Sequence, residues 1–244
     1  MYAFEEAMPI GEDAEGLIDR VIAGRFSCRK FSDRLVSRWT IEQILRIARF
    51  APSGANIQPW HVYVLAGVTK NMVTAALLKA YAAKDEHSSE YQYYASELPL
   101  PYLKRRQEFG RLFYGSLGIA RDDRESRARQ TARNYEFFGA PVGLIVTIDR
   151  RLEVGSWLDL GMFLQNVMLA AAGRGLQSCP QETFAKYHKL IRPLLSIPDE
   201  QMVVCGISMG FARDVPKVRL MPRAEVHEFA SFAGFDDSEH SSNS

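Results

Sequence analysis

Cysteine is scarce in this chain. Three thiols, Cys28, Cys179 and Cys205, lie far apart in 244 residues with no C-x-x-C pair. That excludes a disulfide scaffold and fits a reducing compartment, the cytoplasm. The five histidines, His61, His87, His188, His227 and His240, show neither an H-x-x-x-H pair nor a cysteine at ligand spacing, so no metal site is expected. An excess of one charge is also missing. Thirty Lys and Arg face 29 Asp and Glu, a net charge of +1, which offers nothing to attract nucleic acid or a membrane surface. No run is long enough to cross a bilayer. The most apolar stretch, Trp157 to Gly173, has 17 residues and contains Asp159, against about 20 for a spanning helix. Met1 to Asp13 is acidic and has no basic leader or long apolar stretch, so no secretory signal is expected. No G-x-G-x-x-G follows a strand, which argues against a Rossmann site for a dinucleotide.

What remains is one domain over residues 1–235 and a polar, acidic, Ser-rich tail, 236–244, expected to be disordered. Helices are predicted over residues 14–24, from an N-cap at Thr40 to Pro52 with Ile41, Ile44, Leu45 and Ala48 on one side, over 69–84, and over 184–195. Further helices are predicted on either side of Pro99-Leu100-Pro101. Strands are predicted for Trp60–Leu65, Pro141–Ile148, Leu176–Cys179 and Met202–Met209. The stretch from Trp157 to Gly173 reads as a helix apolar almost all round, which must be buried on all sides, most easily against its twin in a dimer.

Two short blocks carry the chemistry. In Arg25-Phe26-Ser27-Cys28-Arg29-Lys30-Phe31, the residues Arg25, Ser27 and Arg29 alternate, so an extended backbone points all three side chains one way. Two guanidiniums and a hydroxyl on one face suit a phosphate and a polar ring edge. In Ala51-Pro52-Ser53-Gly54-Ala55-Asn56-Ile57-Gln58-Pro59-Trp60, a helix ends in a turn that exposes backbone groups to a flat ligand. R-x-S-x-R-x-F followed by A-P-S-x-x-N-x-Q-P-W, with Lys217-Val218-Arg219 near the C-terminus, resembles the FMN-dependent nitroreductase family over nearly the whole chain.

That resemblance implies an α+β fold with a central mixed sheet flanked by helices, in an intertwined homodimer with a long buried central helix. It implies that residues 81–138 form a variable excursion over the site, with one or two of its aromatics on the flavin. Implied FMN contacts are Arg25, Phe26, Ser27 and Arg29, then Pro52, Ser53, Gly54, Asn56 and Gln58, then Pro180, Gln181 and Glu182, and finally Lys217 and Arg219. Arg25 and Ser27 hold the phosphate and ribityl chain with Lys217 and Arg219, while Arg29 lies near N1 and O2 of the ring. Ser53, Gly54 and the segment from Ser178 to Glu182 come from the partner subunit. A backbone N–H just beyond Pro180 faces flavin N5; many members have Glu-Gly there, whereas this chain has Glu182-Thr183. NADPH or NADH is the transient hydride donor. The acceptor is a small, planar, electron-poor nitroarene or quinone, and nitro groups pass to nitroso and then hydroxylamine. No catalytic acid or base is required of the protein.

Rivals exist. Within the same fold, a dehalogenase matches the Ala51–Ala55 turn but carries Glu-Pro-Trp where this chain has Gln58-Pro59-Trp60. A flavin-binding sensor without turnover is another alternative. Gly206-Ile207-Ser208-Met209-Gly210 matches the G-x-S-x-G elbow of serine hydrolases. That motif needs a helix straight after it, and Phe-Ala-Arg-Asp-Val-Pro is no helix start. Its small residues are expected to allow close strand packing instead.

Overall fold

Four strands, β1 (His61–Ala66), β2 (Val142–Asp149), β3 (Gln177–Gln181) and β4 (Gln201–Gly210), form one sheet in the order β1-β2-β4-β3. The computed structural model describes residues 14–85, 87–214 and 221–235. All three strand pairings are antiparallel. The parallel component comes from outside the named strands, in an isolated bridge between Ser27 and Ser178. Seven α-helices accompany the sheet among the described residues: α1 (Ala14–Gly24), α2 (Arg38–Ala48), α3 (Gly67–Ala83), α4 (Leu100–Ser116), α5 (Arg124–Ala132), α6 (Val154–Ala172) and α7 (His188–Leu195).

The sheet buries both faces because its central strands are apolar in both registers. Leu144, Val146 and Ile148 of β2 join Ile41, Ile44 and Ala48 of α2 and Leu160, Phe163 and Val167 of α6 in one core. Ile145 and Val203 join Val73 and Leu77 of α3 and Ile191 of α7 in the other. A β-bulge keeps the two sets in phase. Val146 lies opposite Cys205 but Thr147 lies opposite Val203, so Val204 is the extra residue. The Tyr91 hydroxyl donates to its carbonyl at 2.6 Å. Without that one-residue insertion, everything in β4 beyond it would change faces.

Glycines in the sheet make room for rings. A Cβ on Gly206 would meet the Phe184 ring at 2.4 Å, and one on Gly143 would meet Phe137 at 2.4 Å. Those two phenyl rings are themselves stacked at 4.6 Å. Ser208 lies inside β4, fully buried, with its hydroxyl hydrogen-bonded to Gln181. It is a packing residue in a continuing strand rather than a nucleophile on a turn, as its small neighbours suggest.

Several boundaries depart from the sequence reading for identifiable reasons. The cap of α2 is Ser37, whose hydroxyl accepts from the backbone N–H of Thr40 at 3.1 Å, so the helix starts one turn earlier than predicted. Pro180 falls within β3 because β3 is an edge strand, where a missing N–H is tolerated. Before Pro99 there is no helix among the described residues of 84–99; α3 stops where Lys84 takes a left-handed φ of 56°. A single helix, α4, begins at Leu100 with Pro101 in its first turn. The helix α6 is not buried on all sides within one protomer. Val154 (75% exposed), Leu158 (69%) and Met162 (40%) form an i, i+4, i+8 stripe facing outward. No helix among the described residues is long and apolar enough to cross a membrane. The predicted disordered tail, 236–244, lies outside the described residues.

The irregular segment before α4 is tied down by charge. Glu90 receives Arg150 Nη1 at 3.0 Å and Arg192 Nη2 at 3.3 Å, and His188 Nδ1 faces it at 3.2 Å without a hydrogen bond. Burial lowers the pKa of His188 below its usual 6.5, with Arg192, Lys189 and Arg150 adding to the shift and Glu90 opposing it. The ring therefore stays neutral in the folded protein where an unfolded chain would take up a proton. Stability is expected to be intact above the unfolded pKa of 6.5 and to fall as the pH drops below it. His188→Gln should flatten that loss, as measured by urea unfolding at about pH 7.5 and about pH 5.5.

Candidate active site

The Arg25–Phe31 segment follows α1 and runs alongside the edge strand β3. Cys28 N–H donates to Ser178 O at 3.0 Å, Phe26 N–H donates to Gln177 Oε1 at 3.2 Å, and Ser27 bridges Ser178. Phe26 and Cys28 are buried, while Arg25, Ser27 and Arg29 are half-buried. The predicted alternation is present: apolar residues face the core, and two guanidiniums and a hydroxyl share the other side.

These side chains converge on Cys179, in the middle of β3. Burial pushes the Cys179 thiol up to about 11, against the pull of Arg29, Arg25 and the Ser27 hydroxyl. It is an inert wall residue at neutral pH. Arg29 Nη1 donates to Ser27 O at 3.3 Å, and its guanidinium lies 4.7 Å from the Phe113 ring centroid and 5.9 Å from that of Phe109. Helix α4 is thus the part of the excursion that comes to the arginine wall. Burial lowers the pKa of Arg25, and a second cation, Arg223, adds to the effect. No carboxylate among the described residues pairs with Arg25. Two like charges held together without a counterion form a seat for an anion. Arg223 was not legible in the sequence: nothing in Met221-Pro222-Arg223 signals that the chain returns to Arg25.

The turn after α2 is a separate piece of scaffold. Gly54 N–H donates to the buried carboxylate of Asp159 on α6 at 3.1 Å, and the Ser53 hydroxyl accepts from Gln58 N–H at 3.0 Å. Gln58 Nε2 donates to Asn56 O at 3.2 Å. Ala55, Asn56 and Gln58 take φ values of 48°, 57° and 52°. Three non-glycine residues in the left-handed region form a strained turn, held by α6. Pro52 is exposed at its start. Among the described residues, no hydrogen bond or ion pair links this turn to the Arg25–Arg29 segment of the same protomer.

The remaining predicted residues divide. Pro180 is exposed on the edge strand and Glu182 is half-buried, 3.8 Å from Lys186 Nζ. The Gln181 side chain is turned inward, donating to Asn134 O at 2.9 Å, so only its backbone is free to face a ligand. The segment from Ser178 to Glu182 was expected from the partner subunit. The Ser27–Ser178 bridge corrects this, because one protomer builds Arg25–Arg29 and β3 into a single wall. Lys217 and Arg219 lie outside the described residues.

The donor set fits FMN. An arginine pair with no carboxylate partner among the described residues suits a phosphate, and a third guanidinium sits beside the Ser27 carbonyl and two aromatic rings.

The chain is 43% identical to 4-nitrobenzoate reductase of Pseudomonas putida over 220 residues, 89% of this chain and 96% of that protein. It is 42% identical to chloronitrobenzene nitroreductase of Comamonas testosteroni, covering 88% and 96%. Among solved structures, the FMN-dependent nitroreductase NfnB of Mycobacterium smegmatis, in complex with NADPH, matches with a TM-score of 0.86 and 30% identity over 91% of this chain and 100% of that one. The FMN- and NADPH-dependent NfnB of Sphigopyxis sp. strain HMH matches with a TM-score of 0.85 and 38% identity over 89% and 99%. With residues 22–211 also matching the model of the Nitroreductase family, this chain belongs to that family.

Proposed function

We propose that the protein is an FMN-dependent reductase that uses NAD(P)H to reduce nitroaromatic compounds to nitroso and then hydroxylamine products, and that it works as a homodimer. The observation that carries this reading is the arginine wall: Arg25 beside Arg223 with no carboxylate partner among the described residues, and Arg29 farther along the same segment under Phe113. Bound there, FMN would supply a ring that accepts hydride from reduced nicotinamide and returns it to the nitro group. The residues of this chain bind, orient and polarise. Arg25 and Arg223 neutralise a phosphate, with Lys217 and Arg219 assigned to the same task. Ser27 hydrogen-bonds the polar chain, and the cationic Arg29 favours negative charge arriving on a ring edge. Backbone beyond Pro180 offers N–H donors. The side chain of Asp159 orients the Gly54 peptide, which fixes the turn carrying Pro52, Ser53, Asn56 and Gln58.

The dimer is supported by the apolar stripe on α6 and by neighbouring exposed Ile47 and Phe50 at the end of α2. Covering them with a second copy would bury surface that one protomer leaves wet. It would also bring the Pro52–Gln58 turn of one subunit toward the arginine wall of the other. The test is the visible spectrum of the purified protein, followed by anaerobic NADPH or NADH and then 4-nitrobenzoate. Flavin absorption should bleach with the donor and return with the nitroarene. A protein that neither binds added FMN nor oxidises either donor would overturn this assignment.

A further inference from the structure

The α4–α5 region holds a cleft of about 800 Å³, lined by five cations, Lys104, Arg106, Arg111, Arg121 and Arg127, and by one carboxylate, Glu108. Arg111 takes up Glu108 through two hydrogen bonds, at 2.9 and 2.6 Å. The other four cations make no ion pair among the described residues. The whole chain carries only +1, so this excess of positive charge is local. Two of the guanidiniums sit over aromatic rings, Arg127 at 3.7 Å from the Tyr114 centroid and Arg106 at 4.9 Å from that of Tyr94. A guanidinium stacked on a ring keeps its edge N–H donors free, in the fork that matches a carboxylate.

The cleft is continuous with the arginine wall. Arg106, Phe109 and Phe113 follow an i, i+3, i+7 spacing and so share one face of α4. The Phe109 and Phe113 rings stack at 5.6 Å with their planes 8° apart, and the Arg29 guanidinium lies 4.7 Å from Phe113. The Tyr114 ring meets Phe113 edge-on at 5.1 Å. Arg29, Phe113, Tyr114 and Arg127 are therefore successive contacts, leading from the wall into the cleft.

Aromatic surface next to unpaired cations suits a molecule that is flat along its length and anionic at one end. We propose that the cleft reads a carboxylate on the electron acceptor, so that the enzyme prefers nitroaromatic acids to neutral nitroarenes. The nitro group of such an acceptor points to the arginine wall, its ring lies against Phe113 and Tyr114, and its carboxylate receives Arg106 and Arg127. Those two arginines are the specificity-determining residues. Glu108 restrains the reader, because it occupies the donors of Arg111 that an incoming carboxylate would otherwise receive. A neutral acceptor can use the rings but gains nothing from the cations.

This inference rests on the nitroreductase reading, and its test separates the two. FMN-loaded protein is reduced anaerobically with stoichiometric dithionite and mixed with 4-nitrobenzoate or with 4-nitrobenzamide, which has the same shape without the charge. Flavin reoxidation is followed by absorbance. No nicotinamide is present, so the readout belongs to the acceptor alone. The amide withdraws electrons more strongly than the carboxylate, so chemistry by itself favours 4-nitrobenzamide, and a preference for the acid reports recognition. At low acceptor concentration the wild type should be reoxidised about tenfold faster by the acid, the worth of one charge-assisted hydrogen bond. Arg106→Gln and Arg127→Gln should each lower that ratio several-fold. Glu108→Gln should raise it by freeing Arg111. Arg124→Gln removes an exposed cation that does not line the cleft and should leave the ratio alone. A wild-type ratio of one or less, or Arg106 and Arg127 variants that match Arg124→Gln, would overturn the carboxylate reader while leaving nitroarene reduction intact. A ratio that does not rise in Glu108→Gln would remove Arg111 from it. Reduced flavin that neither acceptor reoxidises would instead remove the nitroreductase reading beneath it.

Discussion

Arg25→Ala should purify nearly colourless, yet its apoprotein should melt no lower than wild-type apoprotein. The two expectations have opposite signs because Arg25 serves the ligand and not the fold. In the free protein its charge is disfavoured by burial and then by Arg223, and no carboxylate among the described residues compensates. Removing it relieves both penalties. A hydrogen bond to a charged partner contributes about 1.5–3 kcal/mol, and partial solvent exposure places Arg25 toward the lower end. FMN binding should therefore weaken by roughly 10- to 30-fold, given about 1.4 kcal/mol per factor of ten. Titration by quenching of flavin fluorescence measures the loss, and a thermal melt of the apoprotein checks the stability. Wild-type affinity in the variant would remove Arg25 from the phosphate seat.

Glu90→Gln is expected to be the most destabilising conservative change in the molecule, costing about 3 kcal/mol. The side chains of Glu90, Arg192 and His188 are only 15%, 16% and 11% exposed. Neutralising the carboxylate leaves the Arg192 cation buried against an amide. Its remaining contacts are Nη1 to Pro198 O at 2.6 Å and the solvent-exposed Asp199 carboxylate at 4.0 Å, which compensate a buried charge only weakly. The half-exposed Arg150 can turn toward solvent, which limits the damage. The urea midpoint should fall with an unchanged slope, and the 87–99 segment should become more sensitive to proteolysis. That segment carries Tyr91, whose hydroxyl caps the bulge carbonyl of Val204. An unchanged midpoint would mean that the sheet and α7 hold the segment without help from charge.

Where local chemistry decided the structure, the sequence was a good guide. The bounds of α1, the apolar β2 and β4, and the alternation of Arg25, Ser27 and Arg29 all follow from residue type and spacing. The start of α2 was displaced because Ser37 and Thr40 are both competent caps, and only folded geometry shows that Ser37 accepts from Thr40. The composition of α6 spoke for burial on all sides. It spoke for a twin helix as the cover, but not for which stripe, Val154-Leu158-Met162, one protomer leaves exposed. Arg223 and Phe113 were illegible for a different reason. Each matters only through a neighbour distant in sequence, and the excursion contains many aromatics of equal merit. Asp159 looked like an intrusion in an apolar helix, and its purpose appears only with the Gly54 peptide beside it.

The glycine–phenylalanine contacts in the sheet bear on how this enzyme could evolve. Gly206 with Phe184, and Gly143 with Phe137, are mated as void and filler at 2.4 Å, and the two fillers touch each other. Enlarging either glycine alone meets a ring with nowhere to go, and shrinking either ring alone leaves a hollow. The four positions should therefore drift together or not at all. Phe184 lies just beyond Glu182 and Thr183, in the segment that follows β3. A mutational library that varies these four sites independently would consist mostly of dead clones, while one that exchanges volume between partners could repack this core.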